Sequence, residues 1–468
     1  MKKNSLFKIL GVIIVIAILL TWIFPITYFG YELMEEPRSQ VGLFELFTYG
    51  NMVFYYFGNI FFYILAIGGF YGVLHQIDGY RNLLDKIARK FKGKEYVYFI
   101  VIITLLTLLT SMAGLTTALL LLLPFIASVI VIMGYNKQTA ALVTLGSISV
   151  GLIGTTVSDV NTGIISSILN LDTNSAIWAK VVILILGLIL LITSVLLYAR
   201  KHKVENSNEE ISLPVSTNSK KRSWPIIIIM DLILLIMIVS SISWSTVFGV
   251  ELFSKIHTKI MSLSVGGFNI FAKIFGEGYV VEFGKWTLTE FTLLVVIGTV
   301  LIGIFYRKRI GEFFTAYFDG MKKTFKPLIL IFMAYIVLII GATHPVMLTI
   351  FKPLLTLTSG FNVFTMSLTA FVNSVAYVDA YYVVSGTLPY FASIASAASD
   401  VATYPVVGLV WQSMYGLATL VAPTSLVLIA TLSYLEISFW EWIKTSWKLF
   451  VSLLVVILLA LTIVLAII

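Results

Sequence analysis

Ser111-Met112-Ala113-Gly114-Leu115-Thr116-Thr117 stands at the centre of an uncharged run from 96 to 136. Asn373-Ser374 stands at the centre of a second apolar run, 353–399, whose one charge is Asp379. A helix needs about 20 apolar residues to cross roughly 30 Å of hydrocarbon, so a run near twice that length, cut in its middle by small and polar residues, predicts a hairpin that enters the membrane and returns. The hairpins are expected at 97–134 and 361–399. One in each half of the chain is the pattern of a transporter.

The rest of the chain agrees with a membrane setting. Of 468 residues, 59% are hydrophobic and 12% charged, which is far from a soluble protein of this length. Nine spans are expected, at 7–29, 55–76, 138–160, 176–199, 225–248, 288–306, 327–346, 404–434 and 446–468. The first follows Met1-Lys2-Lys3 and runs into Pro25 and Tyr28 without a small-residue cleavage pattern, so it reads as a retained span. Most of the 31 Lys and Arg fall in segments that this drawing places on one side, chiefly 77–95, 200–224 and 307–326. That asymmetry predicts a multi-pass cell-membrane protein with a cytoplasmic N-terminus and an outside C-terminus. It also accounts for the net charge of +8, so no nucleic-acid partner is expected. Cysteine is absent, and disulfides with it.

A polar linker at 200–224 divides the chain into a first transmembrane repeat, 1–199, and a second, 225–468. Two spans precede the first hairpin and three the second, so the hairpins open to opposite faces, the parity of an inverted repeat. The expected fold is therefore an all-α polytopic membrane protein of two inverted repeats, with about nine spans, two re-entrant hairpins and discontinuous helices. Whether 249–287 crosses the membrane stays open, and a crossing there would break the parity.

Unwound backbone cannot face lipid, because each unpaired N–H or C=O costs several kcal/mol in hydrocarbon. The small and polar segments must line a cavity or a protein contact. In the first half these are the tip at Ser111, Gly114 and Thr116, and the span Gly146 to Asp159, with Gly151, Gly154, Thr155 and Thr156. In the second half they are Asn373, Ser374 and Asp379, then Gln412, and then Ala422-Pro423-Thr424-Ser425, where proline removes one helical hydrogen bond. Two readings stand for each: oxygens and helix ends that bind a solute or a cation, or close packing of helices through small residues. A carboxylate inside a membrane segment costs about 2.5–3.5 kcal/mol on insertion scales. Asp379 thus reads as a proton carrier, a cation ligand or a contact to a substrate ammonium group, or else as an interfacial residue. Asp159 lies where its span should emerge and reads as interfacial. His344 reads as a hydrogen-bonded helix-end residue, and four scattered histidines form no metal motif. Phe313-Phe314-Tyr317-Phe318 beside Lys322 and Lys323 reads as an interfacial amphipathic helix.

Several stretches resemble the C4-dicarboxylate anaerobic carrier family, in particular its YfcC-like branch within the ion transporter superfamily. They are Leu20 to Pro25, Gly42 to Leu46, Gly68-Gly69-Phe70-Tyr71-Gly72-Val73, Arg89 to Glu95, Ala422 to Leu428 and Phe439 to Lys444. The resemblance implies a secondary active transporter, not an enzyme, whose two halves each give a hairpin and a discontinuous helix to a central site. By position that site would comprise Ser111 to Thr116, Gly151 to Thr156, Asn373 to Asp379, and Gln412 with Thr424 and Ser425. Gly114 and Leu115 replace the family's acidic tip residues, Ser158-Asp159 replaces its Asn-Pro, and the second tip lacks Pro-Ser-Gly-Ser-Gly, so the solute is not carried over. The expected solute is an amino acid or a dicarboxylate, moved by symport or exchange, with sodium or a proton as coupling ion, no cofactor, and lipid and a homodimer mate as partners. The alternative is a channel-like or structural membrane protein without a coupled cycle.

Overall fold

The computed structural model describes residues 5–24, 28–29, 32–33, 40–172, 174–203, 222–276, 278–344, 346, 349–350, 362–376, 388–389 and 404–467. The chain is an all-α, multi-span membrane protein. In its first half the helices are α1 (Ser5–Ile23), α2 (Glu45–His75), α3 (Asp78–Lys90), α4 (Glu95–Ala113), α5 (Leu123–Ile132), α6 (Lys137–Ile153), α7 (Asp159–Leu169) and α8 (Ile177–Lys201). A 3₁₀ turn, Thr117–Leu121, leads into α5. After it come α9 (Trp224–Ser241), α10 (Trp244–Phe248), α11 (Leu252–Met261), α12 (Ile270–Phe275), α13 (Leu288–Phe305), α14 (Ile310–Lys322) and α15 (Phe325–Thr343). The last four are α16 (Val363–Ala376), α17 (Tyr404–Val421), α18 (Leu426–Leu435) and α19 (Phe439–Ile467). Strands among the described residues are two-residue antiparallel pairs, Tyr28–Phe29 with Glu32–Leu33 and Ser264–Val265 with Phe268–Asn269.

Nine helical stretches among the described residues are long and apolar enough to cross a membrane. The number agrees with the sequence reading, but the membership differs. The arm α4, 19 residues, qualifies as a span by itself, whereas α6, 17 residues, falls short of the expected 138–160 because its helix ends at Ile153. The last span starts at Phe439 rather than 446, since Ser438 and Glu441 exchange backbone-to-side-chain bonds of 3.2 and 3.3 Å as a capping box. Within 249–287 the described residues form α11, the second strand pair and α12, none of span length. Linker positions 204–221, and most of the expected second hairpin beyond Ala376, lie outside the described residues.

Local chemistry explains the ends. The Asn136 side chain accepts from the Thr139 N–H at 2.9 Å and starts α6. A second capping box, Thr287 with Glu290, starts α13. Gly114, at φ 69°, closes α4. The Gly114 N–H donates to the Thr110 carbonyl and the Leu115 N–H to that of Leu109, a left-handed cap that glycine adopts without a Cβ clash.

At the centre, α6 and α17 pack on each other with α4 against α6 and α16 against α17. Every residue from Thr139 to Ile153 is buried, as expected of a helix without a lipid-facing side. Elsewhere α2 lies along α14 with their backbones in contact. A methyl group at Gly72 would fall 2.8 Å from the Gly320 Cα, and one at Gly68 would fall 2.9 Å from the Gly320 carbonyl oxygen. The expected interfacial helix is α14, with Phe314 and Phe318 outward and Tyr317 against Gly69 of α2.

Candidate solute site

The first hairpin tip is bonded to the break that follows α6. The Ser111 hydroxyl donates to the Gly154 carbonyl at 2.8 Å and lies 3.1 Å from the Thr156 hydroxyl. The Thr156 N–H donates to the Ser111 carbonyl at 3.1 Å and to its hydroxyl oxygen at 3.2 Å. The Thr110 hydroxyl closes the tip on the Leu115 carbonyl at 3.0 Å. Close approach makes this possible: a methyl group at Gly151 would fall 2.5 Å from the Thr110 Cβ, and one at Gly154 would fall 2.5 Å from the Leu184 Cα.

From the second half, α17 lies over the same break. The Gln412 amide donates to the Ile153 and Thr155 carbonyls at 3.2 and 2.8 Å, and the Ser413 hydroxyl reaches Ile153 at 3.4 Å. The break after α17 repeats the first arrangement, since the Thr424 hydroxyl donates to the Val375 carbonyl near the end of α16. Ser425 caps α18, its hydroxyl oxygen accepting from the Leu428 N–H at 3.4 Å. The Ser374 hydroxyl is turned back onto the Ala370 carbonyl at 2.7 Å, and Asn373 is fully buried. Asp379 lies outside the described residues.

A cavity of about 720 Å³ opens beside these contacts. The tip, Ala113 to Ala118, forms one wall, with Thr419 and Ser425-Leu426-Val427 facing it from the second half. Tyr56, Asn59 and Ile60 of α2 add another side, and Ser241, Ser243 and Gly284 to Leu288 form the rim, at the end of α9 away from its basic start. Three helical starts border this space: the second arm at Thr116–Ala118, α7 at Asp159 and α18 at Leu426–Val427. The first N–H groups of a helix have no acceptor within it and carry partial positive charge, so the starts at Thr116–Ala118 and Leu426–Val427 suit an anion, while at α7 the Asp159 carboxylate already holds that place. Among the described lining residues, the charged side chains are Asp159 and Lys285. Lys285 is paired with Glu282 at 2.7 Å, and hydrogen bonds from Lys285 and then Ser254 hold the Glu282 carboxyl below the usual carboxylate range.

The expected site residues therefore divide. Gly114, Thr116 and Ser425 line the cavity, while Ser111, Gly151, Gly154, Thr155, Thr156, Gln412 and Thr424 form the bonded layer behind it. Asp159, read from sequence as interfacial, borders the cavity. Asn59 and the Lys285-Trp286 pair were missed. Asn59 had a signal, an amide inside the aromatic run 54–63, whereas Lys285 and Trp286 sit within 249–287, whose mixed composition marks neither a span nor a site. His344 ends α15 with its Nε2 2.8 Å from the Tyr49 hydroxyl, as a helix-end residue. Among the described residues no cluster of His, Asp and Glu fits a metal.

Two solved structures are similar in outline: the YdaH transporter of Alcanivorax borkumensis, at 14% identity over 98% of each chain with a TM-score of 0.43, and MtrF of Neisseria gonorrhoeae, linked to a class of antimetabolite efflux pumps, at 12% identity over 98% of this chain and 94% of that one with a TM-score of 0.41. Both scores lie below 0.5 and decide nothing here. No match is found among curated proteins. Residues 4–466 match the profile of the C4-dicarboxylate anaerobic carrier family, DcuC. With nearly its whole length matched, the chain belongs to the C4-dicarboxylate anaerobic carrier family and is a membrane transporter.

Proposed function

We propose that the protein is an ion-coupled secondary transporter, a symporter or exchanger, that binds a small dicarboxylate in the 720 Å³ cavity. One observation carries the reading: helical starts from both halves of the chain border that space, while the one lysine among its described lining residues is already held by Glu282. Backbone dipoles rather than free cations would then receive the two carboxylates, one near Thr116–Ala118 and one near Leu426–Val427. The family's description as a C4-dicarboxylate carrier supports the same solute class. An amino acid is the second reading, favoured by Asp159, which could receive an ammonium group in the same space.

The two halves, 1–199 and 225–468, would act as inverted repeats. A hairpin arm, a helix broken at hydroxyl-bearing residues and a final long span follow one another in each: α4, α6 with α7, and α8, against α16, α17 with α18, and α19. With the N-terminus cytoplasmic, the cavity would open outside, and movement of one bundle against the other would pass the solute inward. The coupling ion, sodium or proton, is a matter for imposed gradients.

The test is counterflow in proteoliposomes with labelled succinate and labelled arginine as probes. Saturable succinate counterflow is expected, and Asp159→Asn should leave it standing. Arginine counterflow alone, lost in Asp159→Asn, would replace the dicarboxylate with an amino acid. Leakage without counterflow would make the protein channel-like.

A further inference from the structure

A second, smaller cavity lies along the same helices, nearer the basic face. It measures about 100 Å³. Along α2 the large cavity ends at Ile60 and the small one begins at Ile64, and along α18 Val427 gives way to Ala430. A single layer separates them, marked by the Tyr63 hydroxyl donating to the Ala118 carbonyl at 2.6 Å. About two turns further along α2, the Tyr71 hydroxyl holds the Leu121 carbonyl at 2.6 Å.

The walls are mostly apolar, but their polar groups converge. His75, Tyr434, Lys323 and Thr324 all line the space. The His75 Nε2 is a buried atom with no hydrogen-bond partner, and the buried Tyr434 hydroxyl has for polar company within the protein the Ser128 hydroxyl, which is itself spent on the Pro124 carbonyl at 2.7 Å. Buried polar atoms are nearly always paired, so bare ones around a cavity mark a place where something polar belongs. Lys323, exposed at the mouth, is in no ion pair among the described residues. An ammonium and a phenol are donors, and the imidazole Nε2 is a third in the tautomer that carries its proton there; together they suit a carboxylate better than a cation. The room is several times the roughly 15 Å³ that one water needs.

We propose that this cavity is a second carboxylate-binding station, on the basic side of the Tyr63 layer, that a small organic anion occupies on its way between the large cavity and the basic face. The proposal rests on the dicarboxylate reading of the large cavity. Both cavities exist in one conformation, so they can be filled together.

Equilibrium binding of labelled succinate to the purified full chain tests this. The parent should approach two succinates per chain at saturation. Lys323→Gln combined with His75→Gln should fall to one, with the affinity of the retained site within about twofold of its parental value. Tyr434→Phe, which keeps the ring in place, should weaken only the second site, by about tenfold, the loss of one hydrogen bond to a charged group. A parent with one succinate per chain, or variants that keep two equal to the parental pair, would overturn the station and leave the large cavity's assignment intact. A parent that binds none would sink the dicarboxylate reading itself.

Discussion

A methyl group added at Gly154 would land 2.5 Å from the Leu184 Cα, where only backbone could yield, whereas one at Gly146 would meet the movable Leu191 Cδ1 at 2.7 Å. Forcing extra volume into a packed interior costs about 1–3 kcal/mol. Gly154→Ala should therefore lower the unfolding temperature in detergent clearly more than Gly146→Ala; equal shifts would contradict the close packing of α6 on α8. Gln412 offers a sharper contrast. Its amide serves two carbonyls, but Ile153 also accepts from Ser413, so Gln412→Leu strands chiefly the Thr155 oxygen. The expected cost is about 1–3 kcal/mol, read by the same unfolding assay. That Gln412 is special was legible, since an amide in an apolar helix needs a partner. Its partner was not, because Thr155 lies 257 positions away and hydropathy carries no information about such distances.

Among the elements, the two breaks are built alike. Thr156 is bonded to Ser111 and Thr424 to Val375, so in each half the end of an incoming arm is held to the interruption of the broken helix. Thr156→Val and Thr424→Val should each lose about 1 kcal/mol of stability, and both should slow succinate counterflow, because the arm ends are no longer held in place. Ser425→Ala removes the α18 cap, at a cost of about 1 kcal/mol; thermal unfolding checks it, and no shift would mean that the cap is idle. The helices themselves were readable from apolar length, and the breaks from glycine, proline and hydroxyl clusters. Element ends were less so. Capping boxes such as Ser438 to Glu441 extend helices into stretches whose average hydropathy is modest, and α11 and α12 are too short for a reading based on apolar span length to declare them.

For the molecule as a whole, the absence of native cysteine makes the route open to chemical mapping. Thr419→Cys, on the large cavity, should react with an impermeant thiol reagent added from the face carrying 242–287, and succinate should slow that reaction at least severalfold. Ser147→Cys, fully buried on α6, should not react from either face. Rapid labelling of Ser147→Cys would mean that α6 borders water and that the cavity is misassigned. The cavity's tip and α18 wall were visible in the sequence. Its rim was not, since Gly284 to Leu288 reach it through the arrangement of α9 and α13, which local composition cannot report.

The contact of α2 with α14 bears on how such a machine can move. Where Gly68 and Gly72 meet Gly320, backbone lies against backbone with only the Thr324 methyl beside Gly68, so a helix from the first half and a helix from the second would be expected to travel together. In the proposed alternating-access cycle, the boundary between stationary and travelling parts would then not coincide with the polar segment that separates the halves in sequence. It would run through both, with the broken helices and their arms rocking against a frame built on the glycine seam.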